Sequence, residues 1–564
     1  MLKRAFTLYT FVAILGVATY ASDRTDSEMR SIAGRQLYGA MTRGAVPAAK
    51  DLKLEMKDNN LSIYSAAGRG FVVISRDNAF PAVLGSSSTA IDMNNLPEGF
   101  SWWLQEASRS LQERLENGEG YARTRSDIVV EPFLTTKWDQ VNPYNLKCPK
   151  IATDYCPTGC VATAAAQIMK YYNYPVQGCG SAKYQKNGVP RTKEINSVYD
   201  WANMKNTYAK TQTTLTTETE AVATLMADVG AACGMKYTGN YGSATLDDCA
   251  NGLIHNFQYD SLSLNMSLRF FYDDVEWRGL VYNELANQRP ILYAGSPNSK
   301  EEGAGHAFVF HGLNAEGMVY VNWGWNGTCD GYYDIDLLQP GKDAVQKGDY
   351  SGSGQMIYGF NPTNTPSEDV EERSIWGTDT ICSFLIEKDS LVLKARGIFN
   401  YNYRAFRGKL LVTLDNINGV EEDCFDLILY DTEIESDGSV GKFYGFYFND
   451  EDHKQYGQEA LCDLKGIDIK AGTYIVTLAS QGIYESVPSP MRYYKGVKCQ
   501  AQLVKGKDGS IELTDLMPTA IKSMKSEVTH DSSKIYDLHG RNLGTDGSSL
   551  RKGIYIVGGK LVVR

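Results

Sequence analysis

A cysteine and a histidine are the residues of this sequence best suited to nucleophilic catalysis. Cys160 follows Pro157-Thr158-Gly159 and starts an alanine-rich stretch that favours a helix. Free main-chain N–H groups and the helix dipole lower the pKa of a thiol at such a position. His306 precedes the apolar run 307–310, which is typical of a strand. A thiolate beside an imidazole can form acyl intermediates, so we predict Cys160 as the nucleophile and His306 as its proton acceptor.

The small number of histidines narrows the choice of base. The chain has six, and His255, His306 and His311 are those between residues 128 and 363. His311 lies at an odd spacing from His306, so on a regular strand the two side chains face opposite sides. His255 lies in an apolar stretch and is predicted to pack within a helix. His306 is therefore the better candidate.

Three further side chains have the chemistry to complete a site. Asn322 could hold the second imidazole nitrogen in one tautomer, and the indole of Trp323 could shield that hydrogen bond from water. Gln140 could join the Cys160 main-chain N–H as a donor to the oxyanion of a tetrahedral intermediate. Each residue type is common by itself, and it is their combination that indicates an active site.

These motifs together resemble those of the streptopain family of papain-type cysteine peptidases. The matching stretches are WDQ (138–140), PYN (143–145), PTGCVATAAAQIM (157–169), GHAFV (305–309), NWGWNG (322–327) and DGYY (330–333). The resemblance covers roughly residues 130 to 360. One departure is that the family's Gly-Trp-Gly-Gly run appears here as GWNG (324–327).

The resemblance implies a role for each matching residue. It makes Gln140 the oxyanion donor, and Asn322 or Trp323 the support of His306. Ser243 and Gly305 match the family's contacts to the substrate backbone. Protein or peptide substrates are implied. No cofactor or metal is expected, because the chain has no His-Glu-x-x-His motif and no cysteine pairs with zinc-ligand spacing.

The fold class predicted is α+β, a two-part papain-like catalytic domain with a small domain before it and β-sandwich modules after it. Lys3, Arg4 and the apolar run 5–18 predict a signal peptide (1–21) cleaved near Ala21, and hence a secreted or cell-surface protein. Residues 22–125 show strand and helix patterns and match the family's inhibitory propeptide, a small α/β domain. The segment 118–127 is predicted to be an exposed linker that is cut during maturation.

The rest of the chain divides into three predicted units. Residues 126–363 form the peptidase domain. Residues 364–515 alternate strand patterns with Gly, Asp and Asn turns, which predicts a β-sandwich region. Residues 516–564 form a β-rich C-terminal domain. Its stretches 535–541 and 553–556 resemble the type IX secretion sorting domain, which implies the secretion machinery as a partner.

Composition excludes some functions and leaves others open. The net charge is −11, so a nucleic-acid or membrane-surface partner is not expected. Eleven cysteines are an odd number, so in an exported protein we expect disulfides and at least one free thiol. Cys148, Cys156 and Cys179 are candidates for a bridge near the site.

Two alternative functions remain open at this point. One is an amidase or transglutaminase-type enzyme that uses the same Cys–His pair on cell-wall or glutamine substrates. The other is a surface adhesin in which the β modules bind a ligand and the peptidase domain is inert.

Overall fold

The computed structural model describes 22–39, 51–123, 125–239, 241–295, 305–337, 354–362, 376–378, 384–386, 392–400, 408–417, 425–431, 446–449, 454–464, 467–483, 485–492, 496–516, 534–536, 543–544, 554–557 and 560–563. The predicted signal peptide lies outside these residues. Within them, no helix is both long and apolar enough to cross a membrane.

The N-terminal region (22–125) is a four-stranded antiparallel sheet with two helices. Its elements are α1 (Asp26–Tyr38), β1 (Leu52–Lys57), β2 (Leu61–Ala66), β3 (Gly70–Ser75), β4 (Val83–Ser87) and α2 (Glu98–Glu116). Helix α1 begins at a capping box, in which Thr25 and Glu28 each satisfy the other's main-chain N–H. Helix α2 buries Phe100, Trp103 and Ala107, whose three- and four-residue spacing places them on one face.

The central region (126–363) contains the helices and the sheet that position the predicted site. Its helices are α3 (Cys160–Tyr172), α4 (Thr217–Ala232), α5 (Leu246–Phe257) and α6 (Asp274–Ala286). Its strands are β5 (Lys150–Ile151), β6 (Asp154–Tyr155), β7 (Ser181–Lys186), β8 (Val189–Glu194), β9 (Lys236–Tyr237), β10 (Gly242–Ser243), β11 (Asn265–Leu268), β12 (Ile291–Gly295), β13 (His306–Leu313), β14 (Val319–Asn322), β15 (Gly331–Tyr333) and β16 (Gln355–Tyr358).

One sheet runs through both regions. Its strand order is β1-β2-β3-β4-β15-β14-β13-β12-β16-β11, so the N-terminal region adds four strands to the edge of the central sheet. The junction is an antiparallel pairing in which Ser87 lies opposite Gly331 and Gly85 opposite Tyr333. A smaller sheet, in the order β10-β9-β7-β8, lies beside α4 and α5.

Strand β13 is buried on both faces, and each face belongs to a different core. Phe308 and Phe310 point into the core that contains α2 and α6, and we call this side the α2 face. Ala307 and Val309 point into the core that contains α3, α4 and α5, which we call the α3 face. Alternation of side chains along the strand produces this division.

The C-terminal part is made of strands. They are β17 (Trp376–Thr378), β18 (Phe384–Ile386), β19 (Val392–Asn400), β20 (Gly408–Asn416), β21 (Phe425–Asp431), β22 (Phe446–Asn449), β23 (Lys454–Asp463), β24 (Gly472–Gly482), β25 (Ser489–Pro490), β26 (Gln500–Lys505), β27 (Ile511–Asp515), β28 (Ile535–Tyr536), β29 (Ile554–Val557) and β30 (Lys560–Val563). Strands β17 to β27 form two antiparallel sheets and the last three form a small third sheet. A buried ion pair between Arg492 and Glu276 ties this part to α6.

Most elements that the sequence pattern predicts are present. The helix at Cys160, the strand after His306 and the strand and helix content of residues 22–125 are confirmed. Helix α6 was not predicted, because its buried positions do not follow one helical stripe. It is covered on several sides by the sheet and the C-terminal strands.

The prediction that the whole segment 118–127 is exposed is wrong for the Arg123 side chain and Ser126, which are buried, and for Tyr121, which is half-buried. The Arg123 guanidinium is buried and lies 2.5 Å from the Asp334 carboxylate. It also donates to the Val83 carbonyl, and Tyr121 donates to the same Asp334 carboxylate. Arg125 is exposed, as predicted. A buried charge is tolerated when an opposite charge is buried with it. The identity of Arg123 alone therefore did not reveal that its side chain is buried.

Candidate active site

Cys160 is the first residue of α3, where the backbone turns sharply into the helix. Gly159 caps the helix with a φ of 87°, which favours glycine. A Cβ at Gly159 would also lie 2.5 Å from the Met235 side chain, so a larger residue would displace the turn. The Thr163 hydroxyl donates to the Gly159 carbonyl and fixes the same turn from within the helix.

The prediction of a lowered thiol pKa at Cys160 is wrong for this form of the protein. Burial raises the pKa of Cys160 above its ordinary value, and the negative charge of Glu98 adds to the rise. The main-chain N–H groups of Ala307 and Val161 act in the opposite direction, as expected at a helix N-terminus. The net pKa shift is upward because, while the thiol is covered, the effect of its desolvation is larger than the effect of these N–H groups.

His306 lies on the α2 face of β13, whereas the N–H that reaches Cys160 belongs to the next residue, Ala307. The His306 ring is 97% buried and stacks on Phe308 with the ring centroids 6.3 Å apart. Its Nδ1 atom is buried and has no hydrogen-bond partner among the described residues. The structure therefore places the two predicted catalytic residues at one strand end but does not join them by a hydrogen bond.

The other imidazole nitrogen of His306 is held by main chain. The Nε2 atom lies 3.2 Å from the Trp323 carbonyl oxygen. Burial lowers the pKa of His306, and the Trp323 carbonyl and the Glu98 charge oppose that shift. The predicted contact between the Asn322 amide and this nitrogen is not what the structure shows. A backbone carbonyl one residue further takes that place.

Asn322 instead organises the chain around the site. Its side-chain amide and that of Gln167 on α3 exchange two hydrogen bonds of 3.1 Å. Asn322 also donates to the Thr136 carbonyl and accepts from the Gly324 N–H. It thus connects the turn after Trp323 to the helix that carries Cys160. The Gln167 role was not predicted, although the residue lies within the matching stretch.

Asp330 fixes the main chain of Trp323 from the other side. Its Oδ1 atom accepts from the Trp323 N–H at 3.0 Å, while the Trp323 indole donates to the Cys329 carbonyl. Burial raises the pKa of the Asp330 carboxyl to about 7, and the Trp323 N–H opposes the rise. Trp323 is therefore held by two hydrogen bonds, one from its main-chain N–H and one from its indole, and these fix the carbonyl that contacts His306.

Gln140 lies in the segment that packs against the turn before Cys160. The residue is buried, and its carbonyl accepts from the Thr158 N–H at 2.9 Å. The Asp139 carboxylate accepts from the Gln140 N–H, and Lys210 lies 2.8 Å from that carboxylate. These contacts bring the Gln140 backbone to the loop that leads into the nucleophile.

The two predicted substrate contacts lie on different elements. Ser243 is on β10, an exposed strand that touches the start of α3. A Cβ at Gly242 would lie 3.5 Å from the Gly159 Cα. Gly305 is exposed and directly precedes His306.

The start of α2 covers the histidine. A Cβ at Gly99 would lie 2.1 Å from the His306 Cδ2 atom, so only glycine fits at this position. The Phe100 ring packs on Trp323 with the centroids 5.9 Å apart, and Trp102 packs on Phe308 at 6.2 Å. The N-terminal region therefore buries His306 and its carbonyl partner directly.

Disulfides predicted around the site are absent from the described cysteines. Eight cysteines, Cys160 among them, are free thiols. Cys148 and Cys156 are buried, and burial raises the pKa of the Cys148 thiol to about 12. The other three cysteines are not among the described side chains. The thiol of Cys160 is thus not consumed by a bridge in this structure.

Comparison with known proteins places this site in a family. A model of the peptidase C10 family matches residues 138–333. Streptopain from Streptococcus pyogenes is 29% identical over 376 residues, which are 61% of this chain and 92% of that protein. A fragment of prointerpain A from Prevotella intermedia has a solved structure that is 34% identical, with a TM-score of 0.50, over 55% of this chain and 99% of the fragment. The chain belongs to the peptidase C10 family.

A second relative agrees with this assignment. The thiol protease/hemagglutinin PrtT of Porphyromonas gingivalis is 27% identical over 325 residues, which are 53% of this chain and 37% of that protein. This C10 peptidase is a cysteine peptidase made as a zymogen, and the predicted α+β papain-like fold is confirmed. The assignment favours a peptidase over the amidase, transglutaminase and inert-adhesin alternatives.

Proposed function

We propose that this C10 peptidase is an exported endopeptidase in which Cys160 attacks the substrate carbonyl and His306 transfers protons. The observation that carries the proposal is the geometry at the end of β13. There, the Ala307 N–H reaches the Cys160 sulfur and the adjacent His306 is oriented by the Trp323 carbonyl. Both residues are buried or half-buried, so water is largely excluded from the pair.

The reaction proceeds through an acyl-enzyme. The Cys160 thiolate adds to the peptide carbonyl carbon, and the Cys160 N–H with the Gln140 side-chain amide stabilise the oxyanion. His306 gives its proton to the leaving amine as the C–N bond breaks. It then takes a proton from water, which attacks the thioester carbonyl carbon. The C–S bond breaks, and the acid and the Cys160 thiolate are released while the imidazole keeps the proton.

Residues 22–125 act as an intramolecular inhibitor in this proposal. The start of α2 occupies the space in front of His306, and the Nδ1 atom there has no hydrogen-bond partner within the part of the chain that the structure describes. Activity requires that α2 leaves and that the imidazole reaches the Cys160 sulfur. The separated pair and the raised thiol pKa both support a latent state.

Substrate binding is proposed along β10. Ser243 is next to Gly242, which lies close to Gly159, and Gly305 directly precedes His306; in this proposal both contact the substrate backbone. The proposed domain limits are 1–21, 22–125, 126–363, 364–515 and 516–564. The last of these would direct the protein to the secretion machinery, a role that its resemblance to sorting domains supports. Deleting residues 516–564 should leave casein hydrolysis intact and stop export from the producing bacterium.

The test of the chemistry uses matured protein, labelled casein and the cysteine-peptidase inhibitor E-64. Cys160→Ala should lose both E-64 labelling and casein hydrolysis. His306→Ala should lower kcat by roughly 10²- to 10⁴-fold, the usual contribution of general acid–base catalysis.

Two matched controls use residues of the same type away from the pair. Cys179 is a half-buried free thiol and His255 is exposed on α5. Cys179→Ala and His255→Ala should both retain activity. Labelling of the Cys160→Ala protein at another thiol, together with continued casein hydrolysis, would overturn the assignment of the nucleophile.

A further inference from the structure

Strand β10 is the edge of its sheet and lies beside the nucleophile. It pairs with β9 and, among the described residues, has no strand on its other side. Gly242 contacts Gly159, the residue immediately before Cys160. Edge strands present unpaired main-chain groups, and a peptide in extended form can pair with them as an additional strand.

The solvent face of this sheet carries two lysines close to Ser243. Ser243 lies directly opposite Lys236 on β9, and Lys236 lies opposite Gln185 on β7. Lys183 is two positions from Gln185, so all four side chains share one face. Lys183, Lys236 and Ser243 are exposed.

The opposite face of the sheet is turned towards the core. It carries Tyr237 and Ala182, which are both buried. The two faces thus have different surroundings, and the lysines lie on the one that a bound substrate would share with Ser243.

Neither lysine has an ion-pair partner among the described residues. Lys193 on the neighbouring strand differs, because it lies 3.2 Å from the buried Asp228 carboxylate. The acidic residue on the lysine face is Glu194, at the far end of the hairpin opposite Ser181. The two ammonium groups therefore give this face a local positive charge in a chain whose net charge is −11.

A substrate strand on β10 would bring its side chains within reach of Lys236, whereas Lys183, on β7, lies one strand spacing further and acts on them only through its charge. Such a strand lies two strand spacings from β9, about 9.5 Å. That distance is within the combined reach of extended lysine and glutamate side chains. Substrate side chains on the Ser243 face would therefore meet a positive surface.

We propose that Lys236 and Lys183 form a specificity site that favours substrates with acidic side chains on the β10 side of Cys160. The inference rests on the proposed function, because it assumes that Cys160 is the nucleophile and that substrate pairs with β10. Exposed ion pairs are individually weak. We therefore expect a roughly two- to fivefold preference from Lys236, a smaller contribution from Lys183, and a weaker preference at high salt.

The experiment compares kcat/KM of matured enzyme on fluorogenic peptides in which Glu, Gln or Lys occupies each position around the scissile bond. Wild type should prefer Glu over Gln and Gln over Lys at one or two positions on the same side of the bond. Lys236→Glu should reverse that order, and Lys183→Glu should weaken it. Titration of active sites with E-64 corrects each variant for inactive protein.

Arg191→Glu is the matched control. Arg191 lies on β8 of the same sheet, opposite Tyr184 and so on the other face, and it is exposed. This variant carries the same change of charge and should keep the wild-type order of Glu, Gln and Lys.

The possible failures are distinct. If wild type cleaves the peptides without an acidic preference, or if Lys236→Glu and Arg191→Glu behave alike, the specificity site is wrong and the proposed function stands. If matured wild type cleaves neither these peptides nor casein, the proposed function itself is wrong.

Discussion

The two faces of β13 differ in which part of the chain covers them. The α3 face is covered by α3, in a core that also contains α4 and α5, all from the central region, and Cys160 packs against this core. The α2 face at His306 is covered by the start of α2, from the propeptide. Loss of the N-terminal region would therefore leave the packing around Cys160 complete but uncover His306. In the proposed function, latency therefore depends on the covering of His306 by α2.

The largest effect is expected from a substitution that removes packing on the α2 face. Phe100 is fully buried against Trp323 and Tyr333. In the Cys160→Ala zymogen, Phe100→Ala should lower the free energy of unfolding by about 3–5 kcal/mol, because it leaves a cavity. Denaturation in urea, followed by tryptophan fluorescence, measures the change.

A phenylalanine on the α3 face provides the contrast. Phe257 is fully buried in α5. Phe257→Ala should destabilise the zymogen by a similar amount and should also destabilise the matured enzyme, which no longer contains Phe100. If Phe100→Ala leaves the zymogen as stable as the parent, the propeptide does not depend on this face.

A smaller effect is expected at the contact with the base itself. Gly99→Ala places a Cβ 2.1 Å from the His306 ring, and overpacking of this kind costs about 1–3 kcal/mol. The propeptide should dock less tightly, and maturation should be roughly tenfold faster. Gel analysis of the time course measures the rate. Gln105→Ala, on the exposed side of the same helix, should mature at the parent rate. Equal rates for both variants would exclude this contact as a cause of latency.

Asp330 should affect pH dependence more than overall stability. Its folded-state pKa is about 7, and an aspartate in the unfolded chain titrates near 3.9, so the folded protein binds this proton more tightly. The stability that this group contributes is complete below about pH 4 and is lost as pH rises through about 7.

Asp330→Asn tests this dependence. The amide oxygen can still accept from the Trp323 N–H, but the group no longer titrates. The Tm of the Cys160→Ala, Asp330→Asn protein should therefore fall less between pH 4 and 8 than that of the Cys160→Ala parent. Asp127→Asn, at an exposed position, should follow the parent curve. An unchanged pH dependence in the Asp330 variant would contradict the assignment.

The smallest effect is a shift in the reactivity of the nucleophile. Burial raises the pKa of Cys160 in the zymogen, so alkylation by iodoacetamide should need a higher pH than for an ordinary thiol. Once α2 has left, the N–H groups at the start of α3 favour the thiolate, and the midpoint should move to lower pH. Mass spectrometry of the Cys160 peptide against pH measures it. Identical profiles before and after maturation would contradict a propeptide effect on the thiol.

Much of the site follows from local sequence. Pro157-Thr158-Gly159 before an alanine-rich stretch predicts the helix start at Cys160. The apolar run after His306 predicts its strand. Both are short-range patterns, in which the breaking residues and the helix or strand period lie within one element. The order of the motifs then indicates a papain-type peptidase before any contact is known.

Other features have no local signature. The partner of His306 is the carbonyl of Trp323, and every residue has a carbonyl, so residue type pointed to the Asn322 amide instead. Asp330 accepts from the main-chain N–H of Trp323, and Gln167 bonds to the side-chain amide of Asn322. The burial of Arg123 depends on Asp334, which is far along the chain. These assignments depend on distances between separate elements.

The Cys160–His306 pair depends on both local sequence and tertiary packing. Residue types and spacing were enough to predict the helix, the strand and the chemistry of the pair. Tertiary packing alone set the state in which the pair is found, with His306 under Gly99 and the thiol pKa raised. Burial depends on which elements cover a residue. Helix α2 is far from Cys160 and His306 along the chain, so the sequence around neither residue predicts that α2 covers it.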